Sequence, residues 1–190
     1  MLGDVKEQGR TVGKLLIAEP MLGDPNFDRT VVLMVDHTDE GALGVVLNRP
    51  TGLEVESVLG EWSDLAASPG VLYLGGPVEQ NGVLALARRR TVRPLPGWSP
   101  VVGDVGTLDL HGEPTALAGE VTGIRFFAGY SGWGPGQLES ELADGAWLVV
   151  DAHPDDVFAA DPDVMWRSVL RRQQGKVSML ANFPAHPSMN

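Results

Sequence analysis

The stretch TVVLMVDHTDEGALGVVL, residues 30–47, decides the fold class. Its two ends, residues 30–35 and 42–47, are apolar and rich in β-branched side chains, and the polar segment His37–Gly41 lies between them. Branched side chains fit a pleated strand, and an Asp/Gly-containing loop of this length favours a tight reversal of the chain. The sequence therefore predicts an antiparallel β-hairpin here.

Further short apolar runs on both sides of this hairpin predict more strands. They are residues 14–18, 71–74, 83–87, 92–95, 124–127 and 146–150. Helices are predicted from a Thr51/Glu54 capping box to Leu59, over Gln137–Asp144 before Gly145, and after Asp161–Pro162. Because strands follow one another more often than they alternate with helices, we expect an α+β fold of coiled, mostly antiparallel β-sheet with flanking helices. Residues 1–190 are expected to form one domain, with a loose tail over residues 1–12.

Composition excludes several classes of protein. The chain has no cysteine, which removes disulfides and thiolate chemistry, and its formal net charge is −11. An acidic surface repels nucleic acid and anionic lipid alike, so direct nucleic-acid binding is disfavoured. No apolar run is long enough for a membrane span, and the first ten residues lack the features of a secretory signal. We therefore expect no membrane association and a cytoplasmic location.

One basic cluster stands out against this acidic background: Arg88, Arg89, Arg90 and Arg93. We interpret it as an exposed edge strand, on which charge prevents unwanted pairing. The alternative is a nucleic-acid contact, which would need a second basic cluster that the neighbouring sequence does not contain.

The most unusual segment is FAGYSGWGPGQL, residues 127–138. Its glycines allow positive φ and close backbone approach, and the predicted helix after it would offer unpaired amides to an anion. We predict a loop over residues 128–136 in which the rings of Tyr130 and Trp133 form the wall of a shallow pocket. The predicted ligand-binding residues are Gly129, Tyr130, Ser131, Gly132, Trp133, Gly136 and Gln137. The alternative is a tight strand-to-helix crossover in which Trp133 fills the core.

Two catalytic interpretations of the same segment are weaker. A phosphate-binding P-loop lacks its Gly-Lys-Ser/Thr ending, and Glu139 and Glu141 would repel a phosphate. Ser131 lies in a sequence like a nucleophile elbow, with Asp151 and His153 downstream, but the second glycine falls one position early. Hydrolysis by Ser131 remains an alternative hypothesis.

A second candidate binding element is Asn48-Arg49 at the end of a strand, which could hold a carboxylate bidentately. The alternative is a turn in which Asn48 binds backbone and Arg49 pairs with a nearby acid. The histidines are scattered without ligand spacing, so no metal site is predicted. No cofactor is expected.

Taken in order, these motifs resemble the AlgH/YqgE family of bacterial proteins from Gly13 to Asn190. The features that carry the resemblance are Gly13-Lys14-Leu15-Leu16 with Ala18, Pro20-Met21 with Asp24, Pro25 and Phe27, Gly41-Ala42-Leu43-Gly44, Asn48-Arg49-Pro50, Gly75-Gly76-Pro77-Val78, Phe127-x-Gly129-Tyr130-x-Gly132-Trp133-x-x-Gly136-Gln137-Leu138, Glu141, Trp147 and Pro187-Ser188-Met189-Asn190. The resemblance implies coiled, largely antiparallel sheets with flanking helices, and it brings no catalytic residue or cofactor. Some members carry the label of transcriptional regulator. This sequence contains no helix-turn-helix pattern, so it gives little support to direct DNA binding.

Three functional hypotheses arise from the residues and the resemblance. The leading one is a non-enzymatic accessory or regulatory protein that binds a small molecule or a peptide through residues 129–137, with Asn48 and Arg49. The others are a transcriptional regulator that contacts DNA and a serine hydrolase that uses Ser131. The identity of the partner and the oligomeric state are left open by the sequence.

Overall fold

A computed structural model of the chain describes residues 11–20 and 24–183. Within these residues, the strands are β1 Lys14–Ala18, β2 Val31–Thr38, β3 Gly41–Val46, β4 Pro50–Glu54, β5 Val71–Leu74, β6 Val78–Arg89, β7 Trp98–Val102, β8 Val105–Leu108, β9 Val121–Trp133 and β10 Trp147–Asp151. The α-helices are α1 Val55–Val58, α2 Gln137–Ala143, α3 Pro162–Arg171 and α4 Lys176–Met179. Short 3-10 helices cover Gly60–Leu65, Pro114–Leu117, Pro154–Phe158 and Leu180–Asn182.

The predicted hairpin is confirmed as β2 and β3, which pair antiparallel from Thr38 opposite Gly41 to Val32 opposite Val46. Strand β1 pairs with the outer side of β2, and β10 then pairs with β1. The buried side chains of these strands alternate between two faces, as β-strand geometry requires. The α+β class and the mostly antiparallel, curled sheet are therefore as the sequence predicts.

The long strand β9 connects the two halves of the sheet. The strand order is β10-β1-β2-β3-β9-β6-β8-β7, with β4 and β5 beside this path. The end of β9 pairs with β3 through residues 131–133, whereas its first part pairs with β6 from Val121 onward. Strand β5 adds a parallel pair with β9 at Phe127 and Ala128. Residues 128–133 are consequently strand, and the prediction of a loop over residues 128–136 is wrong for them.

Helix α3 covers one face of the sheet in the way its sequence predicts. Asp161 caps its first turn by accepting from the backbone amide of Asp163, and Pro162 occupies the first helical position. Its apolar stripe (Met165, Trp166, Val169 and Leu170) is buried in the largest core cluster. The indole N–H of Trp166 donates to the carbonyl of Ala18 at 3.0 Å, which attaches this helix to β1.

Three local predictions are corrected by tertiary contacts. Thr51 lies in β4 and donates to the carbonyl of Leu72 at 2.8 Å, so it does not cap α1. Residues 92–95 form a bend and irregular chain instead of a strand, and β6 has already ended at Arg89. Strand β6 has β8 on one side and β9 on the other, so Arg88 and Arg89 do not mark an edge strand.

The expected loose tail falls mainly on residues 1–10, which lie outside the described residues. Thr11 already belongs to the folded structure, because its side chain is buried and contacts His37. Across residues 11–20 and 24–183, the structure contains no helix with both the length and the apolar character needed to cross a bilayer.

Candidate functional site

Gly75 and Gly76 lie where the segment 75–77 touches the backbone of strand β9. A Cβ added to Gly75 would lie 2.3 Å from the carbonyl oxygen of Gly129, and one added to Gly76 would lie 2.2 Å from that of Tyr130. Both distances are far below van der Waals contact, so any side chain would force the segment 75–77 away from β9. These glycines are therefore needed for the crossing of two chain segments.

The carboxylate of Glu141 holds two tryptophan side chains in place by hydrogen bonds. One of its carboxylate oxygens accepts from the indole N–H of Trp133 and from that of Trp147, each at 2.8 Å, and the other accepts from Gln137 at 3.0 Å. Trp133 is only 6% exposed, and its ring packs edge-on against Trp147 at 6.0 Å. Trp133 therefore fills the core, as the alternative interpretation predicts, and it reaches a cavity only with the small part that stays exposed.

Ser131 cannot act as the predicted nucleophile. It lies in β9 with no exposed surface, and its hydroxyl donates to the carbonyl of Gly75 at 3.2 Å. Asp151 forms an ion pair with Lys14 at the outer edge of β10, and His153 is exposed at the start of a 3-10 helix. The structure therefore contradicts the serine hydrolase hypothesis.

The predicted anion site at the start of α2 is not formed either. The amide of Gly134 donates to the side chain of Gln137 at 3.0 Å, and the amide of Gln137 donates back to the carbonyl of Gly134 at 3.1 Å. Gly136 adopts φ 72° before the helix and is exposed, which is a conformational role. Because α2 has only seven residues and carries Glu139 in its first turn, it offers no positive end to a ligand.

Asn48 and Arg49 have structural contacts instead of a shared ligand site. The amide group of Asn48 is buried, accepts from the backbone N–H of Val31 at 3.0 Å and donates to the carbonyl of Arg29 at 2.9 Å. Arg49 donates to the carbonyl of Asp28. The turn interpretation is therefore correct for Asn48, although Arg49 binds a carbonyl and not a carboxylate.

What the structure does bring together is a groove formed by two adjoining cavities of about 350 Å³ and 510 Å³. Leu43 and Tyr130 line both cavities, so the Tyr130 ring stands where the two meet. The first cavity also contains apolar side chains from β6 and β8, including Val83 and Leu108. Of the predicted ligand-binding residues, the groove includes Gly129, Tyr130, Gly132 and Trp133.

A bulge in β6 opens the first cavity. Val78 pairs with Tyr130 and Val83 pairs with Ala128, so residues 79–82 lie opposite Gly129 alone and leave the regular ladder. Gly129 has φ 69°, and a Cβ on it would lie 2.6 Å from the carbonyl oxygen of Val78. Only glycine accommodates this register change without displacing the backbone.

Gly132 positions the Tyr130 ring. A Cβ on Gly132 would lie 3.3 Å from Cε2 of Tyr130, so the ring lies directly over this glycine. The alternation of glycine and aromatic residues, from which we predicted a loop, thus gives a strand surface on which an aromatic ring rests.

The rim of the groove is acidic. Glu79 and Asp109 line the first cavity, Asp36 and Glu40 line the second, and the described lining residues include no lysine or arginine. Hydrogen bonds from the backbone amide and then the side chain of His111 lower the pKa of Asp109, which stays ionised into acidic solution. Sequence reasoning missed Asp109 and His111, although two titratable groups two positions apart in a Gly/Pro-rich stretch were a usable signal.

A family model described as AlgH-like, DUF179, matches residues 15–178. The chain belongs to the AlgH-like family. A UPF0301 protein of Streptomyces avermitilis is 48% identical over 193 residues and covers 100% of both chains. A UPF0301 protein of Thermobifida fusca is 47% identical over 188 residues, with 94% of each chain covered.

Two solved structures share the AlgH-like fold. The X-ray structure of protein DIP2367 from Corynebacterium diphtheriae has a TM-score of 0.85 at 30% identity and covers 91% of this chain and 92% of its own. The solution structure of the AlgH protein from Pseudomonas aeruginosa has a TM-score of 0.70 at 30% identity and covers 98% and 100%. These similarities fix the family and the fold and assign no activity.

The basic cluster of this AlgH-like chain is only partly available to a ligand. Arg88 pairs with Asp155 at 2.7 Å and with Asp104 at 3.4 Å. Arg89 stacks over the ring of Trp98, with 4.5 Å between the guanidinium carbon and the ring centre. Two of the four arginines are therefore engaged within the domain.

Sequence reasoning also missed a hydrogen-bonded chain of three side chains. The hydroxyl of Thr11 lies 2.7 Å from Nδ1 of His37, and Nε2 of His37 lies 2.6 Å from a carboxylate oxygen of Glu139. Thr11 and His37 are buried, and neither lines the groove. We interpret this chain as a structural link between the N-terminal turn, the end of β2 and α2.

Metal binding has no support in the described part of the chain. There, no three His, Asp or Glu side chains approach closely enough to hold an ion.

Proposed function

We propose that this AlgH-like protein is a non-enzymatic binding protein for a small molecule or short peptide that carries a positive charge beside an apolar group. The observation that carries the proposal is the groove around Tyr130, which combines apolar walls with an acidic rim. An ammonium or guanidinium group at the rim would meet Glu79 and Asp109. An adjoining alkyl or aromatic group would displace water from the walls.

Tyr130 is the central contact of the proposed ligand. It is half-buried at the meeting point of the two cavities, so a ligand longer than one cavity would cross its ring. The ring face attracts a cation and also packs against apolar groups, so it suits both parts of such a ligand. The supporting strand surface at Gly132 holds the ring in place before binding, which reduces the entropy lost on association.

A regulatory role would act through such a ligand or a protein partner. Carboxylates at the rim would repel the phosphates of nucleic acid, and the formal net charge of −11 acts in the same direction.

The experiment is a ¹H–¹⁵N NMR titration of the full chain with phenethylammonium and with tripeptides that contain lysine or arginine. We expect saturable shifts at Leu43, Val83 and Tyr130, and much weaker effects from phenylacetate, which has a similar ring but the opposite charge. The variant Glu79→Gln/Asp109→Asn should weaken cation binding about fivefold, since each exposed rim charge contributes about 0.5 kcal/mol.

The matched control is Glu56→Gln/Glu113→Gln, which removes the same charge from exposed acids outside the groove. It should leave the affinity nearly unchanged. The proposal is rejected if the groove residues do not shift, if phenylacetate binds equally well, or if the two double variants behave alike.

A further inference from the structure

A third cavity, of about 350 Å³, shares no lining residue with the groove. One wall is the turn formed by residues 67–69, and a second wall contains Phe158. Thr122 and Gly123, near the start of β9, also line the cavity, as does Arg88. A ligand in this cavity would bind independently of the ligand proposed for the groove.

Beside this cavity lies the buried cation of Arg125. Arg125 is 2% exposed, and the described residues contain no acid in an ion pair with it. Its terminal nitrogens donate to the carbonyls of Ser68 at 2.8 Å and Ala159 at 3.3 Å, while its Nε finds no hydrogen-bond partner within residues 11–20 and 24–183. Burying a guanidinium with so little compensation is unfavourable, so a counter-charge nearby would stabilise the fold.

Tyr73 does not supply this counter-charge. The guanidinium carbon of Arg125 lies 4.4 Å from the centre of the Tyr73 ring, which gives a cation–π contact. Burial raises the pKa of the Tyr73 hydroxyl, so the phenol stays neutral. Burial likewise lowers the pKa of Arg125, as expected for a charge taken out of water.

Arg88 brings a second guanidinium to the same place. Its guanidinium carbon lies 5.1 Å from the centre of the Phe158 ring, and that of Arg125 lies 5.8 Å from the same centre. The acids that pair with Arg88 have exposed side chains, 78% for Asp155 and 50% for Asp104, so water and salt screen their charge. Arg125 is shielded from water, so its charge is screened less than the charges of these two acids, and the two guanidinium groups together favour an anion in the cavity.

We infer that this cavity is a binding site for a small oxyanion, a carboxylate or a phosphate group. Arg88 makes the direct contact from the wall. Arg125 contributes its charge from beside the cavity, and its bonds to Ser68 and Ala159 hold the two walls at their separation. Charge-assisted hydrogen bonds from a guanidinium to an oxyanion are the strong contacts of such a site.

The test is a ¹H–¹⁵N NMR titration of the full chain with sodium phosphate and with sodium acetate, against sodium chloride at matched ionic strength. We expect saturable shifts at Ala67, at Ser68 and over residues 122–125 and 158–160 with the oxyanions, and none with chloride. The tighter of the two anions identifies the group that the site prefers.

Two variants are expected to change the affinity for the oxyanion in opposite directions. Arg88→Gln should weaken binding about tenfold, the loss expected for one charge-assisted hydrogen bond. Asp155→Asn should strengthen it, because it releases Arg88 from a competing carboxylate. The control Glu113→Gln makes the same change of net charge at an exposed acid outside this cavity and should have little effect.

A variant that fills the cavity covers the case in which Arg88→Gln fails to fold. Ala160 is exposed and lines the cavity, so Ala160→Phe should block the anion while leaving all charges in place. The inference is overturned if the oxyanion shifts do not saturate, if chloride reproduces them, or if binding survives Ala160→Phe. Equal strengthening by Asp155→Asn and Glu113→Gln would also overturn it, because the effect would then reflect net charge alone.

Discussion

Replacing Glu141 with alanine should be among the most damaging single changes in this protein. The carboxylate is the acceptor for two indole N–H groups, those of Trp133 and Trp147, which belong to side chains only 6% and 4% exposed. A buried donor left without an acceptor costs about 1–3 kcal/mol, so two of them cost about 2–6 kcal/mol. Since a domain is stable by about 5–15 kcal/mol in total, Glu141→Ala should lower the unfolding midpoint strongly.

Urea unfolding followed by circular dichroism measures this loss. Ser140→Ala, at an exposed position of the same helix, is the control and should change the free energy of unfolding by less than about 0.5 kcal/mol. Glu141→Gln keeps an acceptor oxygen and should cost less than alanine. In a Trp133→Phe/Trp147→Phe background the indole donors are gone, so Glu141→Ala should cost about 2 kcal/mol less than in the wild type. An equal cost in both backgrounds would refute the role given to Glu141.

Four further outcomes are expected from contacts and charges in this chain. Gly129→Ala should destabilise by more than about 2 kcal/mol in urea unfolding, whereas Gly136→Ala, with a similar φ but open space around it, should cost only about 1 kcal/mol. Ser131 should remain unlabelled by a fluorophosphonate probe, as judged by mass spectrometry, because its hydroxyl is buried. His111→Ala should raise the pKa of Asp109 in a carboxyl ¹³C titration. The pKa should return only part of the way to its ordinary value, because the backbone amide at position 111 still donates to the carboxylate. A cation held by Asp109 should bind above that pKa and dissociate as the pH falls through it. Gel shifts with duplex DNA at low ionic strength should show no salt-dependent complex, in line with the net charge of −11.

Local patterns in the sequence predict the elements whose stability is local. The β2–β3 hairpin and helix α3 can both be predicted from the spacing of their apolar residues and from the turn or cap beside them. The Thr51/Glu54 pattern fails because a tertiary contact competes with it: the hydroxyl of Thr51 bonds to Leu72, across the β4–β5 pair. A capping pattern in the sequence does not produce a helix cap when the side chain it depends on is already hydrogen-bonded to a neighbouring strand.

The candidate site was only partly predictable for a similar reason. Glycine and aromatic content identified residues 129–133 as unusual, and Gly129, Tyr130 and Gly132 do line the groove. Glycine and aromatic content could not show that the segment is a strand. Its glycines leave room for two distant parts of the chain, residues 75–76 and the β6 bulge, to lie against it. Trp133 is buried, and its indole N–H donates to Glu141 in the following helix, α2, a contact that the glycine and aromatic content does not reveal.

The amino-acid sequence by itself determines the family, the fold class and the position of the segment on which the site is built, since these depend on the order and spacing of residue types. Tertiary structure alone decides that Ser131 and Trp133 are buried, that Asp109 meets Tyr130 in one cavity, and that Arg125 is buried with no acid of the described chain in an ion pair with it. The physical reason is that burial and electrostatic environment depend on residues distant in the chain. The pairing register of the strands brings these residues together, and a short stretch of sequence does not reveal that register.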